Sequence, residues 1–365
     1  MGLSCLLLRP FKKRAAEIDF MRLKGAKESI LETIGDTPLI RLQQASKDLN
    51  TNVYAKLESF NPGHSAKDRI ALYAIEKAER NGQLSPGGTV IESTSGNTGR
   101  SLAMVAALKG YKCVLFTTTK ISFEKKALME AYGAQVVICP KEAHADHPES
   151  YYERAKTLHA ETPNSVYINQ YYNDSNVEAH YALTGPEIWK QTEGKITHYV
   201  ACVGSGGTIS GTSKFLKEQN ADIRVLGVDA YGSVLTKYHT DGVLDENEIK
   251  PYKLEGVGKS IIPSSVLFEN IDKFYQVDDK PSLLRARELA KTESIMPGPS
   301  GGAAVEALYH MKDEFTPDSV VVVVLPDHGA GYLSKLYSNQ WMSENNFLNR
   351  VDYEPKTVEK SGLQL

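Results

Sequence analysis

The sequence lacks the features that mark disulfide-rich, membrane-spanning and nucleic-acid-binding proteins. It has only four cysteines, with no Cys-x-x-Cys pair, and no apolar run near the roughly 18 residues that span a bilayer. Its net charge of −3 gives no basic excess of the kind that nucleic-acid binders show. Cys113, Cys139 and Cys202 lie in β-like runs, which predicts buried thiols, whereas Cys5 lies near the start. We expect a cytoplasmic protein with small-molecule partners, no bound metal, and no nucleic-acid or membrane partner.

The two ends of the chain are predicted to lie outside its folded domains. In residues 1–23 an apolar patch precedes a basic one, which is the reverse of the order in a secretory signal. Residues 351–365 are mostly polar, as is common for chain ends that do not pack. We therefore expect an N-terminal extension and a polar C-terminal tail.

Short β-like runs alternate with helical patterns along the rest of the chain. Examples are "TVIES" before "RSLAMVAALKG" and the fully apolar strand "SVVVVVLPD". This alternation predicts an α/β fold in which helices cover a mostly parallel sheet. Seams near residues 60 and 173 predict a small domain, 61–173, inserted into a larger domain that comprises 24–60 and 174–350.

The stretch "FNPGHSAKDRI", residues 60–70, places a lysine where a helix is predicted to begin. Ser65 occupies an N-cap position and Asp68 follows three residues later, so the pattern approaches a capping box with Lys67 at the second helical position. The helix dipole disfavours an ammonium there by about 0.3–1 kcal/mol. A solvated lysine is one interpretation. An amine bound covalently as a Schiff base, beside an anionic ligand, explains the placement better.

The stretch "ESTSGNTG", residues 92–99, lies between a predicted strand and a predicted helix. Its Thr94, Ser95, Asn97 and Thr98 bring hydroxyls, an amide and free backbone N–H groups to a helix N-terminus. Such a turn can bind a small anion such as a carboxylate. The alternative is an ordinary strand–helix turn, in which the same residue types are common.

The stretch "VACVGSGGTISG" predicts a second anion site, in which backbone amides hold a phosphate after a buried strand. The candidate residues are Gly204, Ser205, Gly206, Gly207 and Thr208. There is no Walker lysine, which argues against nucleoside triphosphate hydrolysis. Ile209 stands where a dinucleotide-binding fingerprint has its third glycine, which argues against that fold. Asp229 lies about twenty residues on, where such a fold has its ribose-binding acid, so a nicotinamide-binding fold stays an alternative.

A fourth turn, "PGPSGGAAVEAL", places Ser300 before another predicted helix. Together the four turns offer an amine for an aldehyde, a glycine-rich cup for a phosphate, a cradle for a carboxylate and a neutral hydroxyl. That combination fits pyridoxal phosphate with an amino acid substrate. In an α/β fold the turns would meet at the carboxyl ends of the strands.

The segments "NPGHSAKDR", "TSGNTG" and "GSGGT" and the Ser300 turn resemble the motifs of fold type II pyridoxal phosphate enzymes. Within that group the chain is similar to the cysteine synthase and cystathionine β-synthase family over roughly residues 30–348. The resemblance implies two three-layer α/β/α domains with mostly parallel twisted sheets. It also implies a homodimer that uses pyridoxal 5′-phosphate.

The resemblance assigns a role to each candidate residue. Lys67 would form the Schiff base and carry the proton at Cα, and Asn97 would contact the pyridoxal 3′-oxygen. Residues 204–208 would hold the phosphate, and Ser300 would face the pyridine nitrogen. The substrate carboxylate would be held by Thr94, Ser95, Thr98 and Gln170.

The implied reaction is β-replacement on L-serine, or on an O-activated serine, through an aminoacrylate. Addition of homocysteine would give cystathionine, whereas sulfide with O-acetylserine or serine would give cysteine. A non-catalytic relative that binds an amino acid is a third possibility. His64, Arg100 and Lys259 depart from the family pattern. We expect them to be solvated, although added cations could favour a thiol that carries a carboxylate.

Overall fold

A computed structural model describes residues 24–94, 96–119, 121–141, 143 and 147–348. The strands in this part of the chain are β1 (Leu39–Arg41), β2 (Asn52–Leu57), β3 (Thr89–Ser93), β4 (Lys112–Thr118), β5 (Gln135–Cys139), β6 (Ser165–Tyr167), β7 (His198–Cys202), β8 (Arg224–Ala230), β9 (Lys273–Val277) and β10 (Val320–Leu325). The α-helices are α1 (Gln43–Asp48), α2 (Lys67–Arg80), α3 (Asn97–Lys109), α4 (Phe123–Ala131), α5 (Tyr151–Glu161), α6 (Ser175–Ala179), α7 (Gly185–Gln191), α8 (Gly207–Gln219), α9 (Leu235–Asp241), α10 (Asp279–Thr292), α11 (Pro299–His310) and α12 (Asn339–Glu344). A π-helical stretch, His180–Thr184, joins α6 to α7. The predicted extension, 1–23, and tail, 351–365, lie outside the described residues.

The strands form two sheets. The larger has the order β1-β2-β10-β7-β8-β9, and only β1 runs antiparallel to its neighbour. The smaller has the order β5-β4-β3-β6 and is parallel throughout. Both arrangements confirm the predicted α/β fold. The exact domain boundaries stay a prediction, although every strand of the smaller sheet falls within 89–167.

Alternate residues of the central strands face opposite layers of helices. In β7, Val200 packs in a core with Ala303 of α11, while its neighbour Tyr199 packs in another core with Leu216 of α8. A period of two is expected for a strand that is buried on both faces. The larger sheet is therefore the middle of three layers.

The smaller sheet is covered on both faces in the same way. Val90 of β3 and Leu115 of β4 share a core with Ile70 of α2. The next residue of β3, Ile91, packs in a separate cluster with Ala155 of α5. The parallel strands are thus shielded on two sides, and their carboxyl ends are left to meet the loops that form the site.

The described cysteines are buried and unbridged. Cys113, Cys139 and Cys202 lie in or at the ends of β-strands, which confirms the prediction of core thiols. Cys5 lies outside the described residues. None of the helices in the described part of the chain has the length and apolar character that a bilayer crossing requires.

A buried ion cluster fixes α2 against the larger sheet. The guanidinium of Arg69, which is fully buried, is bound in a bidentate manner by Glu58 after β2, at 2.7 and 2.8 Å. Glu187 of α7 binds it similarly, at 2.6 and 2.7 Å, and also accepts a 2.8 Å bond from Lys56. We call Arg69, Glu58, Glu187 and Lys56 the Arg69 cluster.

The cluster also sets the ionisation of its carboxylates. Burial alone would raise the pKa of Glu58, but the charge and hydrogen bonds of Arg69 override it and lower this pKa to about 2. The carboxylate therefore stabilises the fold above pH 4.5, its ordinary value, and this contribution is lost as the pH falls towards about 2.

Replacing Arg69 by methionine is expected to destabilise the protein by about 3–5 kcal/mol, because Glu58 stays buried without its ion-pair partner and Glu187 is left with Lys56 alone in the cluster. Urea denaturation of the wild type and the variant measures this difference. Arg80→Met, at the exposed end of the same helix, is the matched control and should change stability by no more than about 0.5 kcal/mol. An R69M protein as stable as the wild type would show that the cluster does not hold α2.

Candidate active site

The four predicted turns meet in one cavity of about 260 Å³. Three of them follow β2, β3 and β7, the Ser300 turn opens α11, and all four lie at the carboxyl ends of parallel strands. The predicted residues that line the cavity are Lys67, Thr94, Asn97, Thr98, Gln170, Gly204, Ser205, Gly206, Thr208 and Ser300. Gly207 does not line it, because its Cα packs against Asn176. Ser95 lies outside the described residues.

The helix that carries the lysine begins one residue later than predicted. Lys67 is the first residue of α2, and its backbone N–H donates to the Ser65 hydroxyl at 3.3 Å. The predicted capping box is wrong. The Asp68 carboxylate instead accepts from the Gly63 N–H and from the Ser101 hydroxyl of α3. A partner from another helix therefore replaces the local cap.

The electrostatic surroundings of Lys67 favour a reactive amine. Burial lowers the pKa of its ammonium, the carboxylate of Asp327 works against this, and the charge of Lys259 adds to it. The net direction is downward, so the neutral amine is more accessible than in water. A neutral amine is the form that attacks a carbonyl carbon.

Asp327 is a site residue that sequence reasoning missed. It is buried directly after β10, and its Oδ2 accepts from the Asn97 amide and from the Tyr332 hydroxyl, each at 2.6 Å. Its Oδ1 is buried without a hydrogen-bond partner among the described residues. The position of "LPD" at the carboxyl end of a buried strand was the one signal that could have identified it.

Backbone pairing brings this carboxylate to the lysine. The N–H of Ala66, the residue before Lys67, donates to the carbonyl of Pro326 at 2.8 Å. Asp327 also forms an isolated β-bridge with Ser65. The end of the larger sheet is thus joined directly to the start of α2.

The predicted carboxylate cradle is assembled from two loops. The Thr98 hydroxyl donates to the side-chain oxygen of Gln170 at 2.8 Å, and Thr94 accepts from the Gly96 N–H at 3.2 Å. Both threonines lie at the N-terminus of α3, whose first-turn N–H groups attract anions. The cradle therefore offers uncharged hydrogen-bond donors, which suit a carboxylate held beside a reacting centre.

The glycine turn after β7 is shaped so that only glycine fits. Gly206 has φ +97°, and a Cβ there would lie 2.8 Å from the Ser265 carbonyl oxygen. A Cβ on Gly204 would lie 2.7 Å from the carbonyl oxygen of Gly256. Because α8 begins directly after Gly206, its free N–H groups can hold a phosphate at this turn.

Ser300 lies in the first turn of α11, on the side of the cavity formed by the larger sheet. It is buried, and its carbonyl accepts from the Cys202 thiol at 3.1 Å. It brings a hydroxyl, not a carboxylate, to this wall of the cavity.

Two of the three departures from the family pattern are not solvated, which corrects the expectation. Arg100 is only 9% exposed, and its guanidinium lies 3.4 Å from the Asn97 side-chain oxygen. Lys259 lines the cavity and donates to the Tyr171 hydroxyl at 3.0 Å. Only His64 is exposed, with φ +58°. Segments distant along the chain pack over Arg100 and Lys259, so the sequence around each residue does not predict its burial.

The donor set fits pyridoxal phosphate. The glycine turn has the free N–H groups and the close backbone approach that a phosphate needs. Lys67 would bond the aldehyde carbon, and Ser300 and Asn97 would face polar atoms of the ring. The unpartnered Oδ1 of Asp327, buried beside the lysine, marks a place where a donor is still required.

Glu92 is a buried acid that supports the cradle from behind. It is fully buried at the end of β3 and accepts from the N–H groups of Ser93, at 2.7 Å, and Gln170, at 3.3 Å. Burial raises the pKa of Glu92 to about 8, and these hydrogen bonds only partly oppose the shift. The folded protein therefore favours the protonated acid up to this pH.

Replacing Glu92 by glutamine is expected to flatten the pH dependence of stability. Since the folded pKa lies above the ordinary value of 4.5, the wild type loses stability as the pH rises from about 4.5 to about 8. The variant should gain a few kcal/mol over the wild type across this window. Denaturant titrations at pH 4.5 and about 8 measure the free energy of unfolding of both proteins. An equal pH dependence in wild type and variant would contradict the assignment of a protonated Glu92.

Known proteins resemble the chain over most of its length. Residues 30–327 match the family described as pyridoxal-phosphate dependent enzyme. The chain is 43% identical over 324 residues to cystathionine beta-synthase of Apis mellifera, which covers 88% of this chain. It spans only 64% of that relative's length. It is 40% identical over 313 residues to cysteine synthase of Staphylococcus aureus, covering 85% of this chain and 97% of that protein.

The fold agrees with these matches. The crystal structure of an O-ureido-L-serine synthase superimposes with a TM-score of 0.78 and 32% identity, covering 87% of this chain and 99% of that one. The cofactor predicted from the four turns is therefore confirmed. The chain belongs to the family of pyridoxal-phosphate dependent enzymes.

Proposed function

We propose that the protein catalyses β-replacement on L-serine or an O-activated serine. The bond from Cβ to the oxygen leaving group breaks, and a thiol sulfur then bonds to Cβ. With homocysteine as the thiol, the product is cystathionine. The observation that carries this proposal is the single cavity in which a buried amine, a neutral carboxylate cradle and a phosphate turn converge.

Lys67 is the residue proposed to handle protons. Bound pyridoxal phosphate supplies an aldehyde carbon and an electron-withdrawing ring. Lys67 would hold the aldehyde carbon in the resting protein, and its free amine would accept the proton from Cα. Its lowered pKa suits this role, because a neutral amine can act as a base.

The cradle is proposed to orient the amino acid. Thr98 and Gln170, joined by their 2.8 Å bond, would hold the substrate carboxylate together with Thr94 and the N–H groups of α3. Orientation by neutral donors fixes the Cα bonds through groups that add no charge of their own.

Ser300 supports elimination in preference to other amino acid chemistry. A hydroxyl facing the ring nitrogen would not keep it protonated as a carboxylate would. Negative charge at Cα is then stabilised less, which favours prompt loss of a β-leaving group. This is the part of the site that favours β-replacement over transamination.

Two relatives with different second substrates bear on the choice of thiol. The similarity to the cystathionine beta-synthase of Apis mellifera favours homocysteine as the thiol, and the chain spans 64% of that relative's length. The cysteine synthase of Staphylococcus aureus matches over 97% of its own length, which favours sulfide as the alternative thiol. We also propose a cytoplasmic homodimer with small-molecule substrates, on the strength of the family resemblance.

The proposed function is tested by offering both thiols to the serine-loaded holoenzyme. Stopped-flow absorption should show homocysteine restoring the resting cofactor spectrum faster than sulfide does, with cystathionine as the product by mass spectrometry. A clear preference for sulfide would replace the first proposal by the cysteine synthase alternative. No spectral change with serine or O-acetylserine would contradict β-replacement itself.

Replacing Lys67 by alanine should abolish turnover with every thiol, because the proton at Cα loses its acceptor. Product formation over hours, measured with equal amounts of wild type and variant, gives the loss. Circular dichroism should stay unchanged, since the Arg69 cluster still holds α2 in place. Lys77→Ala, three turns along the same helix and outside the cavity, is the control. Retained turnover in K67A would contradict the assignment.

A further inference from the structure

Lys259 is a cation of the cavity that has no carboxylate partner among the described residues. Its Nζ donates to the Tyr171 hydroxyl at 3.0 Å and lies 4.6 Å from the centre of that ring. The other lysine on this wall, Lys125, is neutralised by an ion pair with Glu255. Among the described residues this half-buried ammonium bonds a neutral phenol and no carboxylate, which favours an anion from outside the protein.

The backbone holds this ammonium in place. The N–H of Lys259 donates to the Ser233 hydroxyl at 2.9 Å, and its carbonyl accepts from Val234 at 2.9 Å. The preceding residue, Gly258, has φ +71° and donates to the Val203 carbonyl at 2.8 Å. The residue is therefore anchored on both sides, and its side chain reaches a fixed point in the cavity.

The side chain of Lys259 extends to the segment that carries part of the carboxylate cradle. The ammonium reaches Tyr171, the residue directly after Gln170 of the carboxylate cradle. Lys259, Tyr171 and Gln170 all line the cavity, so the ammonium is available to a second substrate that enters it. The cradle itself already has neutral donors for the first carboxylate.

We propose that Lys259 binds the carboxylate of the second substrate, and so selects thiols that carry an acid over neutral thiols and sulfide. The proposal rests on the proposed β-replacement. It names Lys259 as a specificity-determining residue and Tyr171 as the group that positions it. The cation–phenol contact keeps the ammonium directed into the cavity until the anionic thiol arrives.

The test compares two thiols of equal length, mercaptopropionate and mercaptopropanol, which differ only in the carboxylate. Lys259→Met should raise KM for mercaptopropionate by about tenfold or more, the factor expected for one lost charge-assisted contact. KM for mercaptopropanol should change less than about twofold. Lys259→Arg should restore most of the preference, because it keeps the charge. Lys217→Met, whose lysine pairs with Asp272 outside the cavity, controls for removal of a lysine.

A binding measurement separates this proposal from the proposed reaction. Calorimetric titration of the holoenzyme with methylthiopropionate, which cannot react, should give a Kd that rises about tenfold in K259M. This result is obtainable even if no thiol is turned over, so failure of the reaction and failure of the subsite are distinct outcomes.

Three results would overturn the proposal. One is an equal loss for both thiols, which would indicate a general packing defect. Another is a raised KM for serine, which would assign the ammonium to the first carboxylate. The third is weaker retention of pyridoxal phosphate on dialysis, which would assign it to the cofactor phosphate.

Discussion

The binding of one buried guanidinium by two carboxylates determines where the reactive lysine lies. Arg69 follows Lys67 by two residues, and its partners Glu58 and Glu187 come from the end of β2 and from α7. A buried cation is tolerated only with such partners. If the first turn of α2 moved away from the larger sheet, the ion pairs would break and charged groups would stay buried without partners. The amine is held at the cavity by this requirement, not by a local cap.

The cavity built around that lysine contains several charged side chains, and most of them already bond other side chains of the protein. Asp327 is bonded to Asn97 and Tyr332, and Lys125 is bonded to Glu255. The phosphate turn and the carboxylate cradle work with neutral donors at helix N-termini, which adds no side-chain charge near the reacting carbon. The groups left to act on substrates are therefore few, and each has a distinct place.

Most of the fold and of the site turns could be predicted from the sequence, because both depend on residues close along the chain. Buried parallel strands are apolar runs, and anion-binding turns concentrate glycine, serine and threonine. Contacts between distant segments could not be predicted. Asn97 reaches Asp327 across 230 positions, and Asp68 bonds Ser101 instead of closing its own helix turn. For the same reason Lys259 was expected in solvent, whereas a loop places it inside the cavity.

The most direct test of this account identifies the lysine that bonds the cofactor. Borohydride reduction of the holoenzyme, followed by proteolysis and mass spectrometry, locates the pyridoxyl group on one side chain. We predict that it lies on Lys67, the amine that the Arg69 cluster fixes at the cavity. A label on Lys125 or Lys259, which also line the cavity, or no label on any lysine, would contradict the account.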